Sequence, residues 1–329
     1  RGELLFRQMG THGVAANADG EVVVATADRV LGFHGGEASA RWLRDHDGLQ
    51  LGPALTRRDG VLVVACQGRG AVGLSAITGR ELWRLIPPRT RRCWISVQAH
   101  RALIADDTGH LYGLDLESGQ IRFRMRAALP YTGPTVPWGR RMLATIGRGD
   151  HSSLLAADAH AGALLWSHEL ANGAISRPLV LSRRVFVAHG DGREGRLMCL
   201  GSNGRPLWER HIHLGEPPWS LAEAAGNVIV WARNGAAGAF SVDGTPEWRL
   251  GAAGAELPAT LTPCSSRGVL IVPGEVTRAV DPRGGRVLAE LRTGLGLSDL
   301  VADSRLNVYA LDEDGTFTAW KLSTSFAVV

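Results

Sequence analysis

The chain has 329 residues, a formal net charge of +4 and a hydrophobic content of 45%, with 42 glycines and 15 prolines. No stretch approaches the roughly 18 uninterrupted apolar residues of a membrane span, so a helical membrane protein is excluded, and the glycine and proline content suits short strands joined by tight turns. All but one of the 36 basic residues are arginine and they are spread along the chain, a genomic bias rather than a nucleic-acid footprint.

Residues 1 to 6, Arg-Gly-Glu-Leu-Leu-Phe, read as a lone strand ending on Phe6. Apolar strands opened by a polar pair or turn signal then recur at Glu21 to Ala27, Val61 to Gln67, Arg101 to Asp107, Arg141 to Gly147, Arg184 to Gly190, Asn227 to Arg233, Gly268 to Gly274 and Asn307 to Glu313. Their Val, Ile and Leu content with little polar alternation predicts strands covered on both faces. Interleaved with them stand large apolar anchors at Phe6, Trp42, Trp83, Phe123, Trp166, Trp208 and Trp248, with Ala289 in the last such place. Gly2, Gly79, Gly119, Gly162, Gly204, Gly244 and Gly285 lie four residues before their anchors, and Ala38 substitutes before Trp42.

Anchor-to-anchor spacings are 36, 41, 40, 43, 42, 40 and 41 residues. A period of about 40 residues is that of one four-stranded propeller blade. Residues 299 to 322 supply three strands and stop, which the strand at residues 1 to 6 completes. The expectation is therefore an all-β, eight-bladed β-propeller of four-stranded antiparallel blades, one domain over 1–329, its ring closed by pairing the N-terminal strand with the last three. In this reading glycine supplies the positive φ of the hairpin before the outermost strand, and the anchor four residues on faces the next blade. Each tryptophan buries on the order of 150–250 Å², so the ring of anchors is structural.

The stretch Ala156-Ala157-Asp158-Ala159-His160-Ala161-Gly162-Ala163-Leu164-Leu165-Trp166 resembles the Ala-x-Asp-x-x-x-Gly-x-x-x-Trp docking motif of the pyrroloquinoline-quinone (PQQ) repeat propellers. Partial copies are Asp115, Gly119 and Phe123, and Ala279, Asp281, Gly285 and Ala289. The resemblance implies the propeller fold. It covers two activities: quinoprotein dehydrogenases, and non-enzymatic scaffolds such as the lipoprotein subunit of the outer-membrane β-barrel assembly machine. The dehydrogenase branch implies a vicinal cysteine pair, a calcium or lanthanide site, an aspartate base and long insertions. Cys66, Cys93, Cys199 and Cys264 fall in four separate units, and eight units of this period leave no length for insertions. No cofactor, metal site or catalytic residue is expected.

Other motifs read as structure. Gly190-Asp191-Gly192-Arg193-Glu194-Gly195 matches Gly-x-Gly-x-x-Gly but joins two strands, whereas a dinucleotide site needs a following helix. His211 and His213 could both face a metal, yet no third ligand is identifiable, and an exposed pair is the expectation. Arg89, Arg91 and Arg92 form the densest basic cluster, read either as a solvated loop or as a contact for an acidic partner.

Function is then sought on the loops that enter the innermost strands. They carry Arg92, Trp94, Tyr131, Arg177, Trp219, Glu256 and Asp299, residue types suited to a protein interface; the alternative is that Trp94 and Trp219 plug the central channel. The expected role is a protein-binding scaffold in a multi-subunit bacterial assembly, with no nucleic-acid partner, in a periplasmic or outer-membrane setting. The chain opens on Arg1 rather than methionine, which leaves room upstream for a lipid anchor or a fused domain. Two other readings stand beside it: the sensor domain of a longer protein such as a Ser/Thr kinase, and a quinone-dependent oxidoreductase.

Overall fold

The computed structural model describes residues 2–8, 11–16, 21–26, 29–34, 40–45, 51–66, 70–149, 151–170, 174–190, 195–252, 261–292, 296–303, 305–312 and 314–322. Among them the strands pair into eight antiparallel sheets, called blades 1 to 8 here, spanning 11–45, 51–85, 93–126, 136–170, 174–212, 219–250, 264–292, and 297–322 joined by 2–8. Gly2–Gln8 pairs antiparallel with Phe317–Leu322, setting Phe6 opposite Ala319, so the two ends of the chain share blade 8. The innermost strands touch in cyclic order: Thr11–Ala16 lies between Leu51–Arg58 and Leu297–Ala302, and Cys264–Ser266 meets both Leu297–Ala302 and Trp219–Ala224. No helix of the described residues is long and apolar enough to cross a membrane.

The expectation of uniformly four-stranded blades is corrected in blade 5, whose sheet has five strands. Its innermost strand is split into Ala174–Ile175 and Leu179–Leu181, both paired with Arg184–Gly190. Pro178 has no amide hydrogen to give the ladder, so the strand cannot run unbroken through it. Ser176 bridges the gap by accepting the amide of Ala188 at its hydroxyl (2.9 Å) while its own amide donates to the carbonyl of Ala188 (2.7 Å).

The apolar second strands are buried as their composition requires, Val61–Cys66 and Val269–Val272 along their whole length. Blades adhere through the anchors. Trp83 donates its indole N–H to the carbonyl of Leu116 (2.7 Å), Trp166 to Ser202 (3.2 Å), Trp208 to Val242 (3.1 Å) and Trp248 to Pro282 (2.8 Å), each acceptor lying in the next blade. The hairpin glycine of that next blade lies flat on the same ring: a Cβ on Gly204 would come within 2.6 Å of Trp166, and one on Gly119 would overlap Trp83. Glycine is thus required there twice over, by its φ of 78° or 68° and by the ring of the preceding blade. Buried polar groups add further ties between neighbours, among them Gln98 Nε2 to the carbonyl of Gly139 (2.6 Å) and Ser266 Oγ to that of Asp303 (2.6 Å).

A β-bulge precedes Phe6 and every anchor from Trp83 onward, though not Trp42. The register slips by one residue at Leu82, Arg122, Leu165, Leu207, Glu247 and Leu288, just before Trp83, Phe123, Trp166, Trp208, Trp248 and Ala289. A bulge on the last strand twists the free edge of the sheet away from flat pairing.

Candidate functional site

The loop from blade 2 into blade 3 is held from below by two aspartates. Asp106, fully buried, accepts the Thr90 hydroxyl (3.1 Å), the Thr108 amide (2.9 Å) and hydroxyl (2.7 Å), and the His110 amide (2.8 Å). Asp107 accepts the Arg91 amide (3.2 Å), and its own amide donates to the carbonyl of Arg92 (3.1 Å). With its backbone fixed at both ends, the loop presents Arg91 and Arg92 exposed to solvent. Trp94, two residues into the innermost strand, is half-buried and packs on the cluster that contains Leu103, Met142 and Tyr131.

Tyr131 belongs to that core. It is 1% exposed, its amide donates to the carbonyl of Asp106 (3.3 Å), it bridges to Ile146, and burial pushes its phenol well above the usual range. Its hydroxyl has no partner among the described residues. Trp219 is likewise buried, 3% exposed, within the blade 5–6 cluster, and donates to the carbonyl of Gly215 (3.3 Å). Both support loops from within and offer no contact surface.

Arg177 occupies the break in the innermost strand of blade 5. Its side chain is accessible to solvent, yet desolvation lowers its pKa. Asp299 on the innermost strand of blade 8 is half-buried and accepts the Leu300 amide (2.9 Å). It stands near Cys264 of blade 7, whose thiol is pushed up to about 12 by burial first and by Asp299 second. Glu256 lies outside the described residues, as do residues 191–194 of the Gly-rich hairpin. The structure therefore sets Trp94 and Tyr131 in one cluster at the blade 3–4 junction, leaves Arg92 exposed on the blade 2–3 loop, and distributes Arg177, Trp219 and Asp299 around the ring.

All four cysteines are free, and burial raises Cys66 and Cys199 to about 11 and Cys93 to about 12. Among the described residues no group of three or more His, Cys, Asp or Glu could hold a metal ion. His211 and His213 are exposed and stacked, their ring centroids 6.0 Å apart.

Sequence reading missed a polar cluster on blade 5 built around one buried histidine. His189, 1% exposed, shares a hydrogen bond with Glu209 Oε1 (3.0 Å), and Arg196 donates to Glu209 Oε2 (2.8 Å). Burial is the main cause lowering the His189 pKa; Glu209 opposes it, while Arg196 and His168 lower it further. Burial acts to raise Glu209, but the hydrogen bonds from Arg196 and His189 outweigh it and its pKa falls. The separation of about 20 residues between His189 and Glu209 carries no motif, so only pairing through the intervening strand Gly195–Leu200 reveals them.

This cluster sets a pH response. A histidine kept neutral in the folded state takes up its proton more readily when unfolded, so stability is lost as pH falls below the ordinary value of 6.5 toward the lowered folded value. The urea midpoint is expected to drop between about pH 7.5 and about pH 5.5, and His189→Gln should flatten that drop. An unchanged pH slope in the variant would assign the effect to other groups.

Comparison with known proteins places the chain. The family described as outer membrane protein assembly factor BamB matches it over residues 74–175, 107–211 and 150–325. Among solved structures, BamB from Moraxella catarrhalis superposes with a TM-score of 0.76 at 18% identity, over 98% of this chain and 100% of that one. The computationally designed Ika8 protein superposes with a TM-score of 0.81 at 17% identity, over 96% of this chain and 97% of that one. At such identities the likeness is one of fold. No curated protein matches the chain by sequence.

Proposed function

Because the chain belongs to the family described as outer membrane protein assembly factor BamB, we propose that it is a non-enzymatic scaffold, presenting its loop-bearing face to a protein partner in an assembly at the outer membrane. The observation that carries this reading is the preorganised loop at the blade 2–3 junction. Its backbone is pinned by Asp106 and Asp107, and it holds an exposed arginine beside a half-buried tryptophan, the pairing of anchor and charge on which interface energy concentrates. Arg92, Trp94, Arg177 and Asp299 are the contact residues in this proposal; Tyr131 and Trp219 hold the loops that carry them. The vicinal cysteine pair implied for quinoprotein dehydrogenases has no counterpart, since the four cysteines lie in four different blades. A periplasmic setting follows from the proposed assembly.

Affinity purification of the tagged protein, beside a variant with Arg92, Trp94 and Arg177 changed to alanine, tests the reading. A stoichiometric protein recovered with the wild type and lost with the folded variant is the expected result. Recovery of the protein alone in both cases would overturn it.

A further inference from the structure

The outermost strand of blade 3, Ile121–Arg126, ends its sheet, and no strand among the described residues pairs with its outer edge. Every blade has such an edge, but this one differs in charge. Beyond the bulge at Arg122 the strand alternates regularly, with Phe123 opposite Gly113 and Arg126 opposite His110, so Arg124 and Arg126 share one face, exposed. The corresponding positions elsewhere carry Ser167 and Glu169, Glu209 and His211, or Glu290 and Arg292; among the described residues only blade 3 has two basic side chains there.

Arg124 lies over the Tyr112 ring at 5.7 Å, which fixes its guanidinium without neutralising it. Arg122 has a carboxylate, Asp115, at 3.3 Å. Arg126 has no such partner among the described residues. The loop bearing Arg91 and Arg92 is attached to the same turn: Asp107 holds that loop, and Gly109, two residues on, accepts the amide of Ala127 (2.8 Å), next to Arg126. A free strand edge and a field of arginines thus converge on one corner of the ring.

From this convergence we propose that the outer edge of Ile121–Arg126 docks an extended acidic polypeptide segment, which adds as a further strand and sets alternate carboxylates against Arg124 and Arg126. Alternate residues of an extended strand are about 6.6–7 Å apart, the same repeat that separates these two arginines, so strand and charge share one register. A peptide fits better than a nucleic acid because the aromatic rings here, Tyr112 and Phe123, are buried and offer no face for bases to stack on. The inference rests on the scaffold reading and names the chemistry of a partner segment.

The test is fluorescence anisotropy with a short labelled peptide alternating Glu and Thr, and with a second in which proline replaces each Thr at unchanged charge. The first is expected to bind, to weaken about tenfold or more with Arg124→Glu plus Arg126→Glu, and to weaken with salt. The proline peptide is expected to bind at least about tenfold more weakly, since proline cannot donate to the ladder. Circular dichroism of the variant establishes that it is folded. No binding of the first peptide, equal binding of the proline peptide, or tighter binding of an oligothymidine through the same arginines would each overturn the proposal. Peptide binding retained while no partner copurifies would instead count against the scaffold reading alone.

Discussion

Gly119→Ala is expected to lower the unfolding free energy by about 3 kcal/mol, far beyond what an ordinary glycine-to-alanine change does. Two costs combine. The residue sits at a φ of 68°, where a Cβ costs about 1–2 kcal/mol, and the added carbon would overlap the Trp83 ring of the preceding blade, where overpacking costs about 1–3 kcal/mol. Gly226→Ala separates the two, because Gly226 has a comparable φ of 80° but nothing within 4 Å of a Cβ. It should cost about 1–2 kcal/mol, the conformational part alone. Denaturant titration of both variants decides the matter: equal losses would mean that the ring of Trp83 does not dock on Gly119 in solution.

Trp231→Ala should be the most damaging single truncation, by about 3–5 kcal/mol. Trp231 is fully buried on the second strand of blade 6 and donates its indole N–H across to the carbonyl of Pro273 in blade 7 (3.0 Å). Truncation leaves a cavity at the junction and a buried carbonyl without its donor. Trp231→Phe keeps most of the volume and loses only the hydrogen bond, so about 1–3 kcal/mol is expected. If the two substitutions cost the same, packing at the blade 6–7 junction contributes little.

The loop residues illustrate how far sequence reasoning reaches. Arg92, Trp94, Tyr131 and Trp219 all have the composition of an interface, and all lie on segments that lead into innermost strands. Only two of the four reach solvent, because a loop can turn its aromatic side chain inward as easily as outward. For Tyr131 the deciding contacts are with Asp106 and Ile146, each many residues away. Burial therefore reassigns it from contact to support. Arg177 is a second case: its place beside Pro178 was legible, but not that the innermost strand of blade 5 divides around it.

By itself the sequence determined the repeat, the strands within it and the identity of each anchor, because all three follow from local rules of period, hydrophobic run and turn residue. The tertiary structure alone decided what each glycine is for. The same hairpin that frees φ for its own blade seats its glycine on the anchor of the blade before, as Gly204 does on Trp166 and Gly285 on Trp248. That contact joins units about 40 residues apart in the chain, and nothing in either unit records which neighbour it will meet. Likewise His189, Arg196 and Glu209 meet only once three strands of blade 5 are laid side by side, since register between strands, unlike strand formation, is decided by tertiary pairing.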